Sequence, residues 1–303
     1  MKRMIIKALL ASACIVCGPV AAAPAAPAAS PPPAASAAPA AAAAARIVAA
    51  GAPLRLIRGA AVYKGVAGTV LQKDDILETG TDGAQIEAGP QAIVALGPRT
   101  KVYVLGMATD DKSGTVLVML EGWLKVLAKS ARPAAVGTPL LQMSVAAGST
   151  VLHAGAARAE LFAEEGEHIV ARVDDKGKPG ALLKVAAEQY AFATDTQPLK
   201  VLPRPERDFL SGMPPAFRDR LVALPRPAGP PKPPLAPVKE REVDYADVAP
   251  WLTARLQVRR NFVQRFKPRL ADPAFRSALD QALGQTAEWK AALRPQVKAD
   301  STP

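Results

Sequence analysis

The sequence predicts a mainly β fold, an antiparallel β-sandwich or a short β-solenoid, with a small α-helical C-terminal module. Three observations carry this. Between residues 46 and 202, apolar-alternating runs of four to eight residues follow one another, rich in Val, Ile, Leu, Thr and Tyr. Gly, Asp and Pro punctuate them every eight to twelve positions, the spacing of a strand-turn-strand architecture. No stretch from 47 to 200 keeps a 3.6-residue period for ten residues, so helices there are minor, whereas the end of the chain does keep it.

The chain opens MKRMIIKALLASACIVCGPVAAAP. Lys2, Arg3 and Lys7 precede an apolar run, Ala8 to Val16, and Val20-Ala21-Ala22 offers a small-residue cleavage site, so residues 1–22 read as a secretory signal peptide. The run is too short to span a bilayer. Lipid anchoring at Cys14 or Cys17 is disfavoured, because Ala11-Ser12-Ala13 meets the required pattern only in part and Val16 blocks it at Cys17. These are the only cysteines, so the exported chain has no disulfide and no thiolate metal site. Nothing after residue 22 is long and apolar enough to cross a membrane, so the expected location is the periplasm.

Residues 23–45 contain only Ala, Pro and Ser and read as a disordered spacer. The β domain follows at 46–202. Residues 203–242 read as a proline-rich connector with short helical turns around Phe209-Leu210 and Phe217-Leu221-Leu224. The helical module occupies 243–297, with Asp244 and Asp272 as N-caps, Pro273 at a first helical position, Gly284 at an end and Pro268 as a break. Tyr245, Trp251, Phe262, Phe266, Phe275 and Trp289 lie at helical spacing and are expected to form a small core. Residues 298–303 read as a disordered tail.

Charge divides the chain. Residues 46–202 hold 17 basic and 16 acidic side chains, while 203–303 hold 18 and 11, so the surplus belongs to the C-terminal third. Arg259, Arg260, Arg265, Lys267 and Arg269 are placed mostly opposite the apolar stripe of their helix and are the candidate partner-binding residues. For an exported protein the matching partner is an envelope protein or an anionic wall or membrane surface, not nucleic acid. A solvated face is the alternative reading of the same charges.

Catalytic and cofactor chemistry finds little support. His153 and His168 are the only histidines, and His168 beside Glu164, Glu165 and Glu167 reads as a solvated hairpin in preference to a metal site. There is no Gly-x-Ser-x-Gly elbow and no phosphate-cradling glycine loop, so no catalytic residue and no cofactor is assigned. The densest acidic stretch is LQKDDILETGTDGAQIE, residues 71–87. Glu78-Thr79-Gly80 echoes the aspartic-protease signature, but no second copy exists to form a dyad. Asp74, Asp75 and Glu78 lack the spacing of a calcium loop. The expected structure is two strands joined by a Gly80-Thr81-Asp82-Gly83 hairpin turn with solvated carboxylates.

Asp75-Ile76-Leu77-Glu78-Thr79-Gly80, Leu96-Gly97-Pro98-Arg99-Thr100 and Leu120-Glu121-Gly122-Trp123, taken in order, resemble the FecR domain family of bacterial envelope proteins. Asp74 stands where that pattern usually has Gly, and Gly89-Pro90 replaces the usual Asp-Gly. The resemblance is good from Pro53 to Ala128 and looser to Phe192. It implies a non-enzymatic periplasmic β domain, in a family whose founding members relay iron-siderophore signals to a sigma factor. A cleavable leader in place of a cytoplasmic region and membrane span points here to a binding or scaffold role. A ligand-sensing component that signals through a membrane partner is the alternative.

Overall fold

A computed structural model of the chain describes residues 45–88, 92–106, 114–129, 133–225, 235–255 and 259–294. The leader with both cysteines, the spacer to residue 44, the proline run 226–234 and the tail lie outside these residues. The strands are β1 (Arg46–Ala50), β2 (Leu54–Arg58), β3 (Ala61–Gly65), β4 (Ile76–Glu78), β5 (Ala84–Ala88), β6 (Ala92–Leu96), β7 (Lys101–Gly106) and β8 (Val116–Ala128). They continue as β9 (Ala134–Gly137), β10 (Leu141–Val145), β11 (Gly148–Ala154), β12 (Arg158–Glu165), β13 (His168–Val173), β14 (Pro179–Val185), β15 (Tyr190–Thr194), β16 (Lys200–Leu202) and β17 (Val238–Glu242). The helices are α1 (Arg207–Gly212), α2 (Tyr245–Thr253), α3 (Arg259–Phe266), α4 (Pro273–Leu283) and α5 (Ala287–Leu293). Among the described residues 46–202 hold no helix, as the missing 3.6-residue period predicts.

Two layers share one strand. In the first, β1, β5, β6, the second half of β8, β11, β12, β15 and β16 pair in that order. In the second, the order is β17, β3, β2, β4, β7, the first half of β8, β9, β10, β13 and β14. Among the strand pairs of the described residues only β8–β9 is parallel. The two layers form one large mixed sheet and not a barrel, with a common apolar interior that includes Ile47, Leu56, Leu77, Val94, Val102, Met119, Leu124, Val126, Leu152 and Leu161.

β8 shows how the sequence makes the crossover. Leu117 and Met119 face the shared core before Gly122, and Leu124, Val126 and Ala128 face it after, so the inward parity changes from odd to even. A strand alternates strictly, so the switch needs a local irregularity. Here Lys101 pairs with Glu121 while Val102 pairs with Met119, an added residue in β8, and Gly122 adopts φ +100°. A Cβ at Gly122 would stand 2.5 Å from Thr100 Cα, so only glycine fits.

The expected hairpin at Gly80–Gly83 does not form. β4 lies between β2 and β7, whereas β5 lies between β1 and β6, so residues 79–83 carry the chain from one layer to the other. Neither glycine has positive φ, and Gly83 serves close approach instead, since its Cβ would meet Leu96 O at 2.6 Å.

The outer faces of both layers are covered by the C-terminal third. Residues 203–225 run as a strap over the first layer, where Phe209, Met213 and Phe217 cover Val151, Tyr190 and Phe192. The helices cover the second. Trp251, Leu252, Phe262, Phe266, Phe275, Leu279 and Trp289 form one apolar cluster with Ile57, Val62, Ile76, Tyr103, Val118 and Leu120. The expected aromatic core of the helical module is therefore present, and it is continuous with the sheet. Tyr103 meets Phe262 edge-on at 5.3 Å between ring centres, an arrangement that adds about 0.5–1.5 kcal/mol beyond area burial. Capping follows the sequence: Asp272 accepts from the Ala274 and Phe275 amides, and Asp247 accepts from the Asp244 amide at 2.8 Å. α3 stops at Phe266, and Pro268 lies in the 3-10 turn that follows.

Candidate functional site

Asp74, Asp75 and Glu78 flank or lie in β4, the short strand that packs under the helices. Asp75 is fully buried and accepts hydrogen bonds from Arg58 Nε at 2.9 Å, Arg58 Nη2 at 2.7 Å and the Gln72 amide at 2.8 Å. This is a bidentate pair between a β2 end and the loop before β4. Asp74 has φ +70°, the left-handed region that glycine enters most easily. Its carboxylate accepts from the Tyr103 hydroxyl. Burial, reinforced by that acceptor, raises the Tyr103 pKa well above its ordinary value.

Glu78 is buried, 3.2 Å from Arg55 and 3.3 Å from Trp251 Nε1. Burial pushes its carboxyl pKa up, against the opposing pull of Arg55. Arg55 also lies 3.3 Å from buried Asp247, so β2, β4 and α2 meet at one charged node. The expectation of solvated carboxylates is thus corrected for Asp74, Asp75 and Glu78. Their counter-groups come from β2, β7 and α2, distant in sequence, so no local pattern announces them.

The two histidines also have structural surroundings. His153 stacks on Trp123 at 4.3 Å and meets Glu160 Oε2 at 2.7 Å through Nδ1. Glu160 also accepts from Tyr190 and Arg158, and Arg158 reaches Glu206 at the foot of the strap. Burial opposes ionisation of Glu160, but the hydrogen bonds from His153, Tyr190 and Arg158 outweigh it and hold the carboxyl below its ordinary range. His168 is fully buried rather than in a solvated hairpin. Its Nε2 lies 3.4 Å from Ser149 O, and burial, partly offset by backbone hydrogen bonds, lowers its pKa. Glu164 pairs with Lys125, Glu165 with Arg220 and Glu167 with Lys184, and among the described residues no metal-binding group of His, Cys, Asp and Glu occurs.

Of the candidate partner-binding residues, Arg265 turns inward. It donates to Gly59 O at 2.7 Å, Asp74 O at 2.5 Å and Ile57 O at 2.8 Å, which ties α3 to the acidic loop. Arg259 pairs with Glu288 at 2.9 Å, and Arg269 donates to Val243 O at 2.9 Å and Asp272 at 2.6 Å. Arg260 lies in α3, and its side chain is outside what the structure describes. Lys267 is exposed. Of the four whose side chains are described, Arg259, Arg265 and Arg269 are engaged within the chain and Lys267 is exposed.

Lys125 is a group the sequence reading passed over. It is 1% exposed, and its ammonium donates to Glu164 Oε1 at 2.8 Å, Phe217 O at 2.8 Å and Asp219 O at 2.7 Å, clamping the strap to β8. A lone lysine inside the apolar run GWLKVLA was the available signal. Among the described residues no helix is long and apolar enough to cross a membrane.

No protein-family model matches the chain, and no curated protein does. Two solved structures of a candidate anti-sigma factor from Parabacteroides distasonis ATCC 8503 are similar to it. One is 16% identical with a TM-score of 0.35 over 45% of this chain and 64% of its own. The other is 15% identical with a TM-score of 0.34 over 43% of this chain and 59% of its own. In both cases the match spans less than two thirds of the solved chain, and likeness at this level assigns no activity.

Proposed function

We propose that the protein is a non-catalytic, exported binding or scaffold module of the bacterial envelope, with an envelope protein or an anionic wall or membrane surface as its partner. The observation that carries this reading is the closure of the acidic stretch. Asp75 is held by Arg58, Glu78 by Arg55 and Trp251, and Asp74 by Tyr103, so the most chemistry-rich segment braces the fold. The FecR-like order of strands and turns supports the same reading. The platform offers exposed strands and cations such as Lys267 to a partner.

The test mixes the full chain with purified peptidoglycan sacculi and, separately, with solubilised envelope proteins of the source bacterium. Retention on sacculi that disappears at about 0.5 M salt supports a charge-based wall contact. Capture of a single membrane protein supports the signalling alternative. Retention on neither refutes the binding reading.

A further inference from the structure

The second layer ends in two edge strands of opposite character. Among the described residues β17 pairs only with β3, and all five of its residues, Val238-Lys239-Glu240-Arg241-Glu242, are exposed. Among the described residues β14 pairs only with β13, and six of its seven residues, Pro179 to Lys184, are exposed. Edges of this kind present unpaired main-chain groups, and proteins guard them with charge. β17 is guarded in that way. β14 carries Leu182 at 70% exposure and Leu183 at 37%, beside Ile169 of β13 at 38%.

We propose that β14 is a self-association edge, on which a second copy of this chain pairs its own β14 antiparallel about a two-fold axis. The arrangement of charge favours this occupant. A two-fold centred on Leu182 sets Leu182 against its copy, with Lys184 facing Gly180 and Lys178 facing Ala186. A two-fold centred on Leu183 sets Leu183 against its copy, with Lys184 facing Leu182 and Lys178 facing Glu188. In neither register does a lysine meet a lysine. The same operation on β17 fails. Centring on Lys239 opposes two lysines, centring on Glu240 opposes two glutamates and sets Lys239 against Arg241, and centring on Arg241 opposes two arginines. Like charges directly opposite destabilise a strand pair.

A closed two-fold contact of this kind uses the same patch on both copies and leaves no further edge of the second layer except β17. One strand pair with its flanking leucines is at the small end of specific interfaces, so association at about 10–100 µM is expected. This inference is independent of the partner reading above.

Sedimentation velocity on the full chain between about 5 and 300 µM reads it directly, together with hydrogen exchange. The expected result is a concentration-dependent shift to twice the monomer mass, with amide protection rising in 180–185 and not in β17. Leu182→Lys is expected to abolish the shift with an unchanged circular dichroism spectrum, while Leu210→Lys, at another exposed leucine, leaves it intact. A strict monomer at all concentrations overturns the proposal. So does a dimer that survives Leu182→Lys, or one that forms without new protection in β14, a measurement on the unaltered chain that needs no variant to fold.

Discussion

Replacing Lys125 by Met keeps the aliphatic stem in place and removes the ammonium that holds the strap. Three donated hydrogen bonds disappear, at 2.8, 2.8 and 2.7 Å. Each bond from a charged donor is worth about 1.5–3 kcal/mol net, but the three do not add. Glu164 side-chain exposure is 22%, and it keeps a 2.6 Å bond from Ser149, and the strap around Asp219 is exposed, so water replaces part of what is lost. The desolvation of the ammonium is recovered as well. A loss of about 2–4 kcal/mol results, which for a domain of this size lowers Tm by about 4–16 °C. Calorimetry measures the loss, and trypsin tests its location. Arg207, Arg218 and Arg220 lie on the strap, so cleavage there is expected to accelerate while the sheet resists. A loss under about 1 kcal/mol with unchanged strap cleavage refutes the clamp.

Gly122→Ala places a Cβ against Thr100 at φ +100° and is expected to cost more than about 3 kcal/mol, read by urea denaturation; a neutral result removes the parity switch as an explanation of β8. Asp75→Leu strands Arg58 and is expected to cost about 3–5 kcal/mol, with much of it recovered in an Arg58→Met, Asp75→Leu double variant; additive losses in the cycle contradict the pairing. His168 has its pKa lowered by burial, so its contribution is complete above the unfolded value near 6.5 and is lost as pH falls below it. The slope approaches about 1.4 kcal/mol per pH unit, and His168→Leu is expected to flatten stability between about pH 6.5 and 5. Glu160 and Asp247, whose pKa values are lowered, act below that window, and Glu78, whose pKa is raised, acts with the opposite sign in both proteins, so an unchanged slope in the variant excludes His168 as its source.

Local grammar was legible and long-range pairing was not. Strand runs such as Ala92–Leu96 and the caps at Asp244 and Asp272 depend on alternation and on neighbours within three residues, and both appear in the fold. The burial of Asp75 and Glu78 was not legible, because Arg58 and Trp251 lie 17 and 173 positions away. The same limit misplaced Arg265. Its helical phase put it opposite the apolar stripe, yet its long stem carries the guanidinium back to carbonyls 191 to 208 positions away. β17 went unread because a fully exposed VKERE has no apolar alternation to detect.

The two covers have a bearing on the order of assembly. The strap and the helices are synthesised after every strand from β1 to β16, yet they close the outer face of each layer. A chain grown only to residue 202 would display Tyr190, Phe192 and Val151 on one side and Ile57, Ile76 and Tyr103 on the other. Sheets bared in this way are sticky intermediates. Shortening the chain at Leu202 therefore does not isolate a β domain. It leaves a sheet with the outer faces of both layers bare.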